Sequence, residues 1–99
     1  MSNRRHYDDT FNPTPYRVTA LYALIDNGHE MNLNDLHPLT GFCDVRVLLL
    51  SLAECALYGL IEIDDNRTVR ITSKGVVFAH ENVHQVLIEY RQHRAISGD

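Results

Sequence analysis

The feature of this sequence that most constrains its fold is a change in hydrophobic periodicity after Gly59. Before that glycine, apolar residues recur every three or four positions, which is typical of helices packed on a core. Beyond it, apolar residues from Ile61 to Ile71 alternate with polar ones, as in strands with one side facing solvent. Asp65 and Asn66 interrupt the alternation with residues that favour a turn. The sequence therefore predicts helices followed by a β-hairpin.

Helical spacing before the hairpin predicts three helices. The first spans about Pro15 to Asp26, because Thr14 can accept a hydrogen bond as its N-cap and proline suits the first helical position. A short strand near Met31 comes next. A short helix follows and ends at Gly41, which can adopt a positive φ.

The third helix is predicted to be the longest of these three. It opens at Cys43 or Asp44 and ends at Gly59, and an acidic residue in its first turn suits the helix dipole. Five apolar residues at helical spacing form its predicted buried face: Val45, Leu48, Leu49, Leu52 and Ala56.

A final helix is expected after the hairpin, over about residues 73–96, with Thr72 or Ser73 as its N-cap. Its apolar positions form a continuous seam: Val76, Ala79, Val83, Val86, Leu87 and Tyr90. Two interpretations of the seam remain open at this point. It packs against the first helix of the same chain, or it joins two chains in a homodimer.

Length and composition fit one small domain. The 99 residues are 44% hydrophobic and 22% charged, as in ordinary globular proteins. Residues 1–12 are polar and lack periodicity, so we expect a flexible arm before a domain over residues 13–96. Cys43 and Cys55 are interpreted as reduced thiols, since two cysteines cannot form a disulfide framework. With no secretory signal and no apolar stretch that spans a bilayer, a cytoplasmic location is expected.

Three short motifs resemble those of a known fold family. They are Leu39-Thr40-Gly41-Phe42 before the third helix, Tyr58-Gly59-Leu60-Ile61 after it, and Ile71-Thr72-Ser73-Lys74-Gly75 after the hairpin. Their order and spacing resemble the winged helix-turn-helix of MarR-like and PadR-like bacterial regulators. The resemblance implies a mainly α fold with a small β-hairpin, in the order α-β-α-α-β-β-α. It also implies a DNA-binding transcriptional regulator without an enzyme site.

The same resemblance implies which residues contact double-stranded DNA. In the family the third helix lies in the major groove and the hairpin, called the wing, contacts the backbone. The corresponding residues here are Arg46, Val47, Leu50 and Ser51 on the helix, with Arg67 and Arg70 on the wing. Arg46 is expected to pair with guanine and Ser51 to contact a base or a phosphate, while the wing arginines bind phosphate or the minor groove.

A second function class is compatible with the same residues. The chain carries a formal net charge of −4, and residues 41–75 hold four basic against five acidic side chains, so there is no net attraction for DNA. Val47 and Leu50 are apolar where the family usually has polar side chains. An exposed apolar helix face is typical of protein-binding surfaces. The alternative is therefore a winged-helix protein-interaction module.

The segment His80-Glu81-Asn82-Val83-His84 matches the HExxH pattern of zinc peptidases. A third ligand is hard to find, because Leu87 and Tyr90 stand where one such family would continue with Gly and His. Glu89 and His93 are candidates only by proximity. A metal shared between two chains would use His80, His84 and His93. We therefore predict no metal, no cofactor and no catalytic residue, with zinc binding by His80 and His84 as a remote alternative.

Overall fold

The computed structural model describes residues 12–42, 44–88 and 90. Its elements are α1 (Pro15–Asp26), β1 (Glu30–Asn32), α2 (Leu33–Thr40), α3 (Val45–Leu57), β2 (Ile61–Ile63), β3 (Thr68–Ile71) and α4 (Ser73–Glu81), followed by a one-turn 3₁₀ helix (Val83–Gln85). The fold is mainly helical with a small antiparallel sheet, and the order α-β-α-α-β-β-α is the predicted one. No helix in the described part of the chain is long and apolar enough to cross a membrane.

The helix boundaries follow from local side-chain chemistry. Thr14 caps α1 by accepting a hydrogen bond from the backbone N–H of Arg17, and Pro15 occupies the first turn, as predicted. Gly41 ends α2 with a φ of 78°, a left-handed conformation that glycine adopts without strain. Asp44 caps α3, since its carboxylate accepts from the backbone N–H of Arg46 at 2.8 Å.

The predicted hairpin forms, and β1 extends it to a three-stranded sheet in the order β1-β3-β2. Both outer strands pair antiparallel with β3, so that Glu30 and Glu62 lie directly opposite Arg70 on either side. The hairpin turn is held by Asp64, whose Oδ1 accepts from the backbone N–H of Asn66 at 2.8 Å.

The core is built around α1, which contacts all three other helices and β3. Val18, Leu21 and Leu24 are completely buried along it. Gly75 in the first turn of α4 lies against the carbonyl of Leu60, and there is no space for a larger side chain.

The buried face of α3 differs from the predicted one. Four residues are buried there: Leu48, Ser51, Leu52 and Cys55. Val45, Leu49 and Ala56, all predicted to be buried, are exposed. The small side chains of Ser51 and Cys55 are easily buried where α3 packs on α1. The helix is therefore rotated about its axis relative to the orientation that its large apolar residues predict.

The predicted single helix over about residues 73–96 is interrupted after Glu81, and Ile88 and Tyr90 are again helical. Asn82 ends α4, because its backbone N–H bonds to the carbonyl of Ala79 and its side-chain amide donates to the carbonyl of Phe78. After the 3₁₀ turn, Val86 adopts an extended conformation. Residues 91–96 lie outside the described part of the chain, as does the predicted arm except for Asn12.

The segment after α4 packs back on α1. Val86 and Tyr90 are buried, the backbone N–H of Leu87 donates to Oγ1 of Thr19 at 2.8 Å, and the Tyr90 hydroxyl donates to Asp26 at 2.7 Å. This packing agrees with one of the two interpretations of the apolar seam. The homodimer through this region stays a prediction.

Candidate functional site

An exposed, largely apolar stripe runs along the outer side of α3. We define the α3 stripe as Arg46, Leu50, Ala53 and Leu57, which recur at steps of four, three and four residues. Leu50 is 63% exposed and Leu57 is 81% exposed. Leu49 lies beside the stripe and is 43% exposed, which widens the apolar surface.

The orientation of α3 is fixed from its other side. Besides the buried residues that face α1, an ion pair joins the two helices: Nη2 of Arg17 lies 2.6 Å from Oε1 of Glu54, and Nε of Arg17 donates to the same oxygen at 3.0 Å. The Arg17 side chain is largely buried, which makes this contact more rigid than an ordinary surface pair. The α3 stripe therefore belongs to a fixed surface.

Of the four residues that the sequence places on the outer side of α3, two lie there. Arg46 and Leu50 are exposed. Val47 is half-buried and packs against the core. Ser51 is 6% exposed and faces the core, so its predicted outward orientation is wrong. The physical reason is the rotation of α3 described above.

Arg46 is exposed but bound to a carboxylate of its own chain. Its Nη2 lies 2.8 Å from Oδ2 of Asp44, and its Nε lies 3.2 Å from both carboxylate oxygens. These bonds lower the pKa of Asp44 below its ordinary value, so the capping carboxylate stays ionised at neutral pH. Arg46 therefore does not present an uncompensated positive charge.

The two predicted wing residues, Arg67 and Arg70, lie on the hairpin, and Arg70 is also paired with carboxylates of its own chain. Arg70 donates from Nε to Oε1 of Glu30 at 2.8 Å, and its Nη1 lies 3.9 Å from Glu62 on the other neighbouring strand. Arg67 is exposed beside the turn, at a φ of 64°. The hydrogen bond to Glu30 is the main cause that raises the pKa of Arg70, and the charges of Asp64 and Glu62 add to it. Carboxylates therefore surround Arg70.

Charge over the described residues is unfavourable for binding phosphate. Five basic side chains are described: Arg17, Arg46, Arg67, Arg70 and Lys74. Nine acidic side chains are described: Asp26, Glu30, Asp35, Asp44, Glu54, Glu62, Asp64, Asp65 and Glu81. The balance is 5 − 9 = −4, equal to the formal net charge of the whole chain.

The two histidines of the HExxH pattern are separated by the end of α4. His80 lies in its last turn, where its Nδ1 is 3.3 Å from the hydroxyl of Tyr22 and the two rings meet edge to face. His84 lies in the 3₁₀ turn beyond. The pair is therefore not carried by one continuous helix. Within the described ranges, no group of three His, Cys, Asp or Glu side chains is placed to hold a metal ion.

A groove of about 690 Å³ lies near the start of α3. It is bounded by the start of α1, the connection between α2 and α3, and residues 84–88. Tyr16 and Phe42 meet edge to face in its wall with ring centroids 5.0 Å apart, and its described lining also includes Asp44 and His84. The sequence could not predict this groove, because three distant segments form it.

The sequence reasoning also missed Ala53 and Leu57 as surface residues. Their spacing from Leu50 was a usable signal, because steps of three and four residues place side chains on one side of a helix. The predicted buried face included Leu49, which is exposed beside the α3 stripe.

Comparisons of the chain with protein families, with characterised proteins and with solved structures found no match.

Proposed function

We propose that this chain is a winged-helix protein-interaction module that binds a partner protein through the α3 stripe. The single observation that carries the proposal is the exposure of Leu50 and Leu57 on a helix whose opposite side is anchored in the core. The winged-helix part of the proposal is supported by the order of the elements, with a hairpin directly after the third helix.

The spacing within the α3 stripe favours a helical partner. Side chains at alternating steps of three and four residues are those that interlock with a second helix in coiled-coil packing. Isolated exposed apolar residues are common on proteins, but a continuous stripe two leucines long beside a third is typical of a binding surface. Ala53 between the leucines leaves room for a side chain of the partner.

DNA binding by the same surface is the competing function, and the contacts of the basic residues argue against it. Leu50 and Leu57 offer no hydrogen bonds to base edges or phosphates. Arg46 and Arg70 each lie within an ion pair with carboxylates of this chain, which DNA phosphates would have to replace. The exposure of Arg46 and Arg67 is the observation that keeps the regulator function worth testing.

The first experiment separates the two functions by salt dependence. A fluorescent random duplex is titrated with the protein at ionic strengths from about 50 mM to about 200 mM, a range over which phosphate-driven binding weakens strongly. We expect no binding even at the lowest salt. Affinity that falls with salt, and that is reduced in the Arg46→Ala and Arg67→Ala variants, would instead establish DNA as the partner.

The second experiment tests the α3 stripe as a protein-binding surface. A displayed library of helical peptides is selected on the wild-type protein alone, and the affinity of the enriched peptides is then measured for the Leu50→Glu variant. We expect enriched peptides with apolar residues at steps of three and four, bound at least tenfold more weakly by Leu50→Glu. The control is Val77→Glu, an equally conspicuous apolar residue on α4 that is 55% exposed. Peptides that bind all three proteins alike would contradict the proposal.

A further inference from the structure

We infer that a second copy of this chain fits the α3 stripe, with the two α3 helices packed antiparallel about a two-fold axis. This inference rests on the proposed function, because it identifies a partner for the same surface. It differs from the homodimer predicted through the C-terminal region, since it uses α3.

The side chains of one α3 stripe are complementary in size to those of a second α3 stripe that runs in the opposite direction. When two copies run antiparallel with the axis midway between Leu50 and Ala53, Leu50 of each copy lies opposite Ala53 of the other. The same axis places Leu57 opposite the aliphatic stem of Arg46 in the second copy. Each pairing sets a large side chain against a small or flexible one, which interlocking helices require.

The ends of α3 favour the antiparallel arrangement as well. The last turn of α3 contains no basic residue, so the partial negative charge at its carbonyl end has no cation from its own helix. In the antiparallel pair the Arg46 guanidinium of each copy reaches this end of the other α3. Asp44 engages Nε and Nη2 of Arg46, and among the described residues Nη1 makes no hydrogen bond.

A parallel pair of the same stripes lacks both advantages. It sets Arg46 against Arg46 of the second copy, so that neither guanidinium reaches the carbonyl end of the other α3. It also sets Ala53 against Ala53, which leaves a gap between the two leucine layers. The α3 stripe is therefore self-complementary in one direction alone.

The stripe is short, which determines the strength of the association. From Arg46 to Leu57 it spans about 16 Å at 1.5 Å per residue. An interface of about three helical turns lies at the small end of specific interfaces, so the dimer should be in equilibrium with monomer rather than permanent.

Sedimentation of the full chain at rising concentration tests the association. We expect the average mass to rise from 11.4 kDa toward twice that value. Leu50→Glu should raise the dissociation constant at least tenfold, while Val77→Glu, exposed on α4, should leave it unchanged. A chain that stays at 11.4 kDa up to millimolar concentration, or an equal loss in both variants, would overturn the inference.

A cysteine pair tests the direction. The double variant Arg46→Cys and Leu57→Cys is prepared in a Cys43→Ser background and oxidised at a concentration where the wild type associates. A bond within one chain is excluded, since about 16 Å separates the two positions and a disulfide joins Cα atoms less than about 7 Å apart. We expect a covalent dimer in which each bridge joins position 46 of one copy to position 57 of the other, which peptide mapping of the oxidised dimer identifies.

The outcomes for dimer and function are distinguishable. If the bridges join position 57 to position 57, or if the single Leu57→Cys variant forms covalent dimers as readily as the double variant, the antiparallel arrangement is overturned. If the wild type is monomeric but still selects helical peptides that Leu50→Glu rejects, self-association is overturned and the proposed function stands. If both experiments fail, the α3 stripe is not an interaction surface.

Discussion

Gly75 and Thr72 join the end of the hairpin to the start of the last helix. A side chain at Gly75 would place its Cβ 2.7 Å from Cγ1 of Ile71 and in collision with the carbonyl oxygen of Leu60, a backbone atom that cannot move aside cheaply. The Thr72 hydroxyl accepts a hydrogen bond from the backbone N–H of Gly75 at 3.1 Å. It donates one to the carbonyl oxygen of Gly59 at 2.7 Å. These contacts give a local physical explanation for the motif Ile71-Thr72-Ser73-Lys74-Gly75.

The variant Gly75→Ala should be clearly destabilised. The added methyl group forces α4 away from Leu60, and we expect a loss of about 1–3 kcal/mol in the free energy of unfolding, as for overpacked cores. Urea denaturation measures the change. The control is Lys74→Ala at the neighbouring exposed position, expected within about 0.5 kcal/mol of the wild type. Equal stability of the two variants would contradict this account of Gly75.

At the scale of elements, the most informative contact is the one between α1 and the segment after α4. Thr19 is completely buried, and its hydroxyl accepts from the backbone N–H of Leu87 at 2.8 Å. The hydrogen bond gives the N–H of Leu87 an acceptor that α4 does not supply, because α4 ends at Glu81. A buried threonine in α1 therefore positions a segment 68 residues further along the chain.

Removing the hydroxyl at Thr19 tests this role. Thr19→Val keeps the shape of the side chain but leaves the Leu87 N–H without its acceptor, which should cost about 1–3 kcal/mol of stability. Hydrogen exchange at the Leu87 amide should accelerate more than exchange in the centre of α1. Thr19→Ser retains the oxygen and should preserve the protection of that amide. Unchanged exchange in Thr19→Val would show that the bond is unimportant.

The sequence predicted those elements whose signals are local. Thr14 and Pro15 mark the start of α1, and the alternation after Gly59 marks the hairpin, so both were placed correctly. The end of α4 could not be placed, because the spacing of apolar residues continues past Asn82 as if the helix did. Helical spacing indicates which residues are buried, but residues outside a helix can be buried too, as the extended Val86 is.

The candidate site was predictable only in part, for a related reason. The sequence placed the candidate site on the third helix and included Arg46 and Leu50, which the structure shows to be exposed. It could not decide how the helix is rotated, because Ser51 and Cys55 are small enough to be buried without being strongly apolar. The rotation is a property of how α3 meets α1, which no stretch of α3 encodes alone.

At the scale of the whole molecule, the protonation of the Cys55 thiol depends on whether the core is folded. Its side chain is completely buried where α3 faces α1, and burial raises the pKa of its thiol to about 12. Arg17 opposes this shift and Glu54 adds to it, but both effects are smaller than that of burial. The thiol therefore stays protonated while the fold is intact and can ionise once the chain unfolds.

Stability should consequently fall in alkaline solution. Below the ordinary thiol pKa of 9.0 both states hold the proton, whereas between that value and about 12 only the folded state does, so rising pH favours unfolding. Urea denaturation from pH 8 to pH 10 measures the loss. Cys55→Ala lacks the titrating group, and its stability should decline less steeply over the same range. Parallel pH profiles of the two proteins would contradict the prediction.

The packing of Val86, Leu87 and Tyr90 on α1 has a consequence for how the protein is made. During translation α1 leaves the ribosome before Leu87 and Tyr90, which cover part of it. Until they emerge, the apolar side of α1 has no complete cover within its own chain. Nascent chains stalled shortly after α4 should therefore be captured by ribosome-associated chaperones, and those stalled well beyond Tyr90 should escape them.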